Sequence, residues 1–162
     1  MKKKRIIWGI LKYNWYEIDI ASIELFDGNI FHATASTGAE IDLDAAKRLI
    51  RTTNKMLPDD VKFRAGIYDI SKIAYLHDEA RTYFATTNDI RGHVAGAAIF
   101  SSTFLGTTIG NLFLSLSGSR KFPIRLLSSP IRAEHWVRNQ LKKLEAKDTQ
   151  EQFCIEDRRK VA

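Results

Sequence analysis

Between Ile67 and Phe84 the sequence places five polar side chains whose types and spacing bear on chemistry: Asp69, Ser71, His77, Asp78 and Glu79. A buried strand is expected to end at Asp69. A short apolar turn follows, and then a helix that opens with acids, where the free N–H groups of its first turn favour negative charge. In an open α/β sheet, the position beyond the carboxyl end of a strand is where ligands and partners dock. The same residues have a plainer use, with Asp69 and Ser71 satisfying turn backbone and Asp78 or Glu79 complementing the helix. A catalytic use of Asp69, Ser71 and His77 as a polar cluster would require His77 to sit in a cleft.

Other chemistries find less support. His32, His77, His93 and His135 are far apart, and none has a second His or Cys three or four residues away, so no helical metal-ligand pair is formed. His77, Asp78 and Glu79 are adjacent, and adjacent residues on one helix point apart. There is no Gly-x-Ser-x-Gly elbow, and Cys154 stands among polar residues with nothing to activate it. Gly106 and Gly110 fall inside an expected helix instead of a phosphate-binding loop after a strand. The reading is a binding protein with no catalytic residue, no metal and no cofactor.

The elements that must hold these residues can be read from periodicity. Tyr16 to Leu25 begins with strand-like alternation, and Asp27-Gly28-Asn29 turns it into Ile30-Phe31-His32-Ala33. Asp42 caps a helix whose apolar residues run from Leu43 to Leu57, and Pro58 stops it. Lys62 to Tyr68 reads as a buried strand. Helix and strand then alternate: a helix over about Asp78 to Asn88, a strand over Val94 to Phe100, a helix over Thr103 to Leu116, a strand over Ile124 to Leu127 and a helix over Ile131 to about Lys147. That alternation predicts parallel pairing with crossover helices. Ser129-Pro130 marks the last helix start, and the polar mixture after Ala146 predicts a loose tail.

The length of 162 residues suits one domain that closes a core without disulfides. The single cysteine fits a reducing, cytoplasmic setting. The formal net charge is +6, but four of the basic groups lie in residues 1 to 5 and the body is nearly neutral, so nucleic acid is not an expected partner. From Gly92 to Ser119 there is no Asp, Glu, Lys or Arg, yet glycines, serines and threonines break this stretch, so stable membrane insertion is not expected either.

The spacing Asp69-x-Ser71-x-Ile73-x-Tyr75-Leu76 ahead of a helix resembles the STAS domain, the module of bacterial anti-sigma-factor antagonists and sulfate transporter tails. The runs Ile109 to Leu114 and Phe122 to Leu127, followed by Ala133-x-x-Trp136, are similar to small bacterial STAS-like proteins of unassigned function. The resemblance implies an α/β fold with a mixed, mostly parallel sheet entered by an antiparallel hairpin and about four helices. It covers residues 16–146, with a basic and apolar extension over 1–15 and a polar tail over 147–162. It also implies a regulatory module that binds a protein partner or a second copy of itself. In the antagonists the helix start carries Asp-Ser-Ser-Gly with a phosphorylated serine. This chain has His77-Asp78-Glu79-Ala80, so that switch is missing, and a carboxylate imitates a phosphate only in part.

A helical wheel centred on Leu105 places Ile109, Leu112 and Leu116 within about 40 degrees of it as a core stripe. Phe104 and Leu114 fall outside, and with Phe113 they are the expected apolar contact surface. Gly106 and Gly110 lie between Phe113 and Leu114 on the wheel, where they would admit a close neighbour. The alternative to partner binding is a carrier of a small molecule or lipid, with an apolar pocket beside this helix.

Overall fold

A computed structural model describes the backbone of residues 3–8, 11–115 and 122–160, and the side chains of 15–111, 114 and 122–153. The chain opens with four antiparallel strands, β1 (Lys3–Trp8), β2 (Leu11–Ile18), β3 (Ala21–Phe26) and β4 (Ile30–Ala35). The β3–β4 turn is made by Asp27 and Gly28, both at positive φ, as a tight hairpin requires. Pairing thus carries the sheet back through residues that the sequence suggested as an extension before the domain. The alternation of residues 3–15 is weak, and only the pairing of β1 with β2 and of β2 with β3 reveals them as strands.

A short strand, β5 (Ala39–Ile41), leads into α1 (Leu43–Met56). The Asp42 side chain caps this helix by accepting from the Ala45 N–H at 2.7 Å. Then come β6 (Phe63–Asp69), β7 (Ile73–Leu76), α2 (Asp78–Thr86), β8 (His93–Phe100), α3 (Phe104–Ser115), β9 (Ile124–Leu127) and α4 (Pro130–Lys160). The main sheet has the order β1-β2-β3-β4-β6-β8-β9, with β4, β6, β8 and β9 parallel. This is the mixed, mostly parallel α/β sheet with four helices that the sequence predicts. The strands β5 and β7 form a separate parallel pair, and β7 occupies what the sequence suggested was turn.

The sheet has a core on each face. Ala65, Ile67, Ala98 and Phe100 pack against Ala133, Val137 and Leu141 of α4. Phe31, Ile23 and Leu25 face the other way, toward Ala45, Ala46 and Leu49 of α1 and toward Ala80 of α2. α4 starts at Ser129-Pro130 as expected, with the Ser129 hydroxyl accepting from the Arg132 N–H at 3.3 Å. It continues well past Lys147, because the polar tail contains neither Gly nor Pro. Lys62 pairs with Asp148 to hold that stretch against the body. Polarity there marks a solvated helix face, not a loose end.

Candidate functional site

The residues singled out between Ile67 and Phe84 fall into two groups at opposite ends of β7, about 13 Å apart for a four-residue strand. At the first, Asp69 Oδ1 accepts from the Ser71 N–H at 2.9 Å. The Ser71 hydroxyl oxygen accepts from the Ser102 N–H at 2.9 Å, and the Ser71 carbonyl accepts from the Thr103 hydroxyl at 3.0 Å. These bonds tie the end of β6 to the start of α3. Asp69 and Ser71 thereby do the turn-satisfying work that the sequence left open as the alternative to docking.

At the second group, His77 is the residue before α2 and meets Tyr75 edge-on, ring centres 4.8 Å apart. Asp78 and Glu79 are exposed in the first turn, and Asp78 pairs with Arg81. The separation by β7 means that Asp69, Ser71 and His77 do not form one polar cluster.

The face that α3 turns inward differs from the wheel reading. Gly106 and Gly110 are buried, whereas Leu105 is 53% exposed and Phe104 90% exposed. A Cβ at Gly106 would come within 2.7 Å of the Ile70 carbonyl oxygen and 2.3 Å of Ser101 Oγ. Close approach of backbone to backbone therefore sets the helix orientation, and it outweighs the burial of Leu105. Phe104 is exposed as expected. Leu114 is half-buried, and the side chain of Phe113 lies outside the described residues.

Beside α3 lies a cavity of about 120 Å³ that is partly open. Its floor is the sheet. Phe31, Gly66, Ala97 and Ile124 stand side by side across β4, β6, β8 and β9, and the next row on that face includes Tyr68 and Ile99. The space over Gly66 is taken by a neighbouring side chain, while Ala97 beside it lines the cavity as a small residue. Leu49 and Ile50 of α1, Phe84 of α2, and Ile109 and Gly110 of α3 form the roof. Ile41, Ile73 and Leu76 of the small sheet close one side.

Among these wall residues Tyr68 supplies the one polar side chain. Its ring lies back over Gly66, and a Cβ there would be 2.6 Å from both the ring and its hydroxyl oxygen. Glycine is thus required at 66 for the tyrosine to take this position. Burial pushes the Tyr68 hydroxyl above the ordinary tyrosine range, and the nearby Arg64 charge acts in the opposite direction. The side chain is half-buried and lines the cavity.

The model of a family described as a domain of unknown function, DUF7793, matches residues 23–141, well over half of the chain. The chain belongs to this family. The DUF7793 match begins in β3 and ends in α4, so it encloses every cavity-lining residue from Ile41 to Ile124. No curated protein and no solved structure matches the chain. Among the described residues there is no grouping of three or more His, Cys, Asp or Glu suited to a metal, and no helix long and apolar enough to cross a membrane.

The sequence reading singled out α3 as one wall of a pocket but missed Tyr68 as a site residue. In sequence Tyr68 is one aromatic within an apolar strand. The signal available was Gly66 two residues earlier on the same strand face, with the small residues of β8 beyond it.

Proposed function

We propose that this domain is a non-catalytic binding module whose apolar cavity holds a small hydrophobic molecule. The observation that carries this reading is a cavity of about 120 Å³ whose wall, among the described residues, has a single polar side chain. An empty apolar cavity of that size costs on the order of 3 kcal/mol in lost contacts. Engineered apolar cavities of roughly 150 Å³ stay dry and take up benzene or xenon. Occupancy by an apolar ligand recovers the lost contacts, and the partial opening provides a route in. The test is native mass spectrometry of the purified protein, together with xenon and benzene titration followed on the isoleucine methyl signals. Saturable shifts at Ile99 and Ile109 support the reading. Loss of those shifts in Ala97→Phe ties them to the cavity, and no saturable shift with either probe refutes it.

A second reading, a STAS-like regulatory module that binds a protein partner or its own copy, is favoured by Phe104 and Leu105. Both lie exposed in the first turn of α3. The exposed acids Asp78 and Glu79 would give that partner a charged contact. This reading places the protein in the cytoplasm, where its lone cysteine stays reduced. Light scattering and pull-downs with Phe104→Ser and Asp78→Arg test it. Association unchanged in both variants would remove these surfaces from consideration.

A further inference from the structure

Resting on the reading of the cavity as a ligand site, we propose that Tyr68 sets its selectivity by donating a hydrogen bond to one neutral carbonyl oxygen on an otherwise apolar ligand. The favoured class is therefore small hydrophobic ketones, aldehydes and esters, ahead of hydrocarbons and carboxylates.

Three features of the wall lead to this assignment. First, Tyr68 is a half-buried residue of the cavity wall whose hydroxyl makes no hydrogen bond among the described residues and is not one of the fully buried unpartnered atoms, so it is available to donate to a ligand. The strand gives up a side chain at Gly66 to let the ring lie where it does, so the position is built in and not incidental. Second, the remaining wall among the described residues is aliphatic or aromatic, so a ligand with two or more polar groups would leave some of them unpaired and desolvated.

Third, charge argues for a neutral acceptor. Arg64 is the nearby cation, but it is not part of the wall. Its Nη1 donates to Asn54 Oδ1 at 2.9 Å and to the Arg91 carbonyl at 3.3 Å. A carboxylate in the cavity would thus lose its water without gaining an ion-pair partner. Burial keeps the phenol protonated, with the Arg64 charge acting the other way, so the hydroxyl proton remains available for donation.

The test compares two probes of one shape, cyclohexanone and methylenecyclohexane, which differ by an oxygen in place of a methylene group. Dissociation constants for both are measured by methyl NMR titration on the wild-type protein and on Tyr68→Phe, with cyclohexanecarboxylate as a charged control. The ratio of ketone to alkene affinity is expected to fall roughly tenfold in Tyr68→Phe, the usual worth of one hydrogen bond, while alkene affinity is retained. An unchanged ratio with both probes bound overturns the role of Tyr68 and leaves the cavity reading standing. Carboxylate binding as tight as the ketone's overturns the neutral-acceptor assignment. If neither neutral probe binds the wild-type protein, the cavity reading falls and this inference falls with it.

Discussion

The guanidinium carbon of Arg64 lies 4.4 Å from the centre of the Phe31 ring, so a buried cation is balanced by an aromatic face. Among the described residues no carboxylate pairs with it, and its other support comes from Asn54 Oδ1 and the Arg91 carbonyl. Burial pushes this guanidinium below its ordinary value, which shows that desolvation is the dominant effect on it. A desolvated cation–π contact is worth about 2 kcal/mol. Phe31→Leu is therefore expected to cost about 3 kcal/mol in urea unfolding, with roughly 1 to 2 kcal/mol of that absent when Arg64 is already Met. Strictly additive costs in the double-mutant cycle would show that the ring contributes packing alone.

Gly106 and Gly110 both lie on the inward face of α3, yet alanine should act differently at each. At Gly106 the new methyl would meet the Ile70 carbonyl oxygen at 2.7 Å, and backbone cannot yield without moving the β6–β7 turn or α3. Gly106→Ala is expected to destabilise by about 2 kcal/mol after the helix-propensity gain of about 1 kcal/mol is counted. At Gly110 the nearest atom is Leu126 Cδ1 at 2.9 Å, the end of a flexible side chain. There the propensity gain should roughly offset the shift, leaving stability within about 0.5 kcal/mol of wild type. Equal losses at the two positions in thermal unfolding would show that helix packing is not governed by the Ile70 contact.

These two glycines also mark where sequence reasoning stopped. Local signals placed α1 through Asp42 and α4 through Ser129-Pro130, and the apolar runs placed β6, β8 and β9. The orientation of α3 was not readable, because a wheel ranks side chains by size while this helix packs through the absence of side chains. The β5–β7 pair joins segments about thirty residues apart, and each strand is only three or four residues long, too short for alternation to show. The cavity is assembled from five strands, three helices and their connecting loops, each of whose residues reads as ordinary core. Its wall has Tyr68, folded back over Gly66, on the strand next to Ala97, a juxtaposition that only the register of β6 against β8 establishes.

Alkaline unfolding gives an independent view of Tyr68. Its folded-state pKa lies above the ordinary value, so below about pH 10 both folded and unfolded chains carry the phenol proton and this group adds no pH dependence. Above that, the unfolded chain loses the proton while the folded chain keeps it, and stability falls by at most about 1.4 kcal/mol per pH unit from this group. Tyr68→Phe removes that contribution. Urea midpoints between pH 9 and 11 should fall less steeply in the variant than in wild type, whereas parallel slopes would mean that the hydroxyl ionises in the folded protein as freely as in the unfolded chain.

Ala97 tests the energetic cost of the cavity itself. It is buried on β8, stands beside Gly66 in register, and lines the floor. Valine at 97 adds two methyl groups to vacant space at a strand position where a β-branched side chain is well accommodated. Ala97→Val should stabilise the ligand-free protein by about 1 kcal/mol, or roughly 3 °C in Tm, as cavity-filling changes do. The same variant should weaken xenon and benzene uptake, because less volume remains for either. Stabilisation with undiminished uptake would place the probes elsewhere, and a loss of stability would mean that the floor is already filled by a close-packed neighbour at 97.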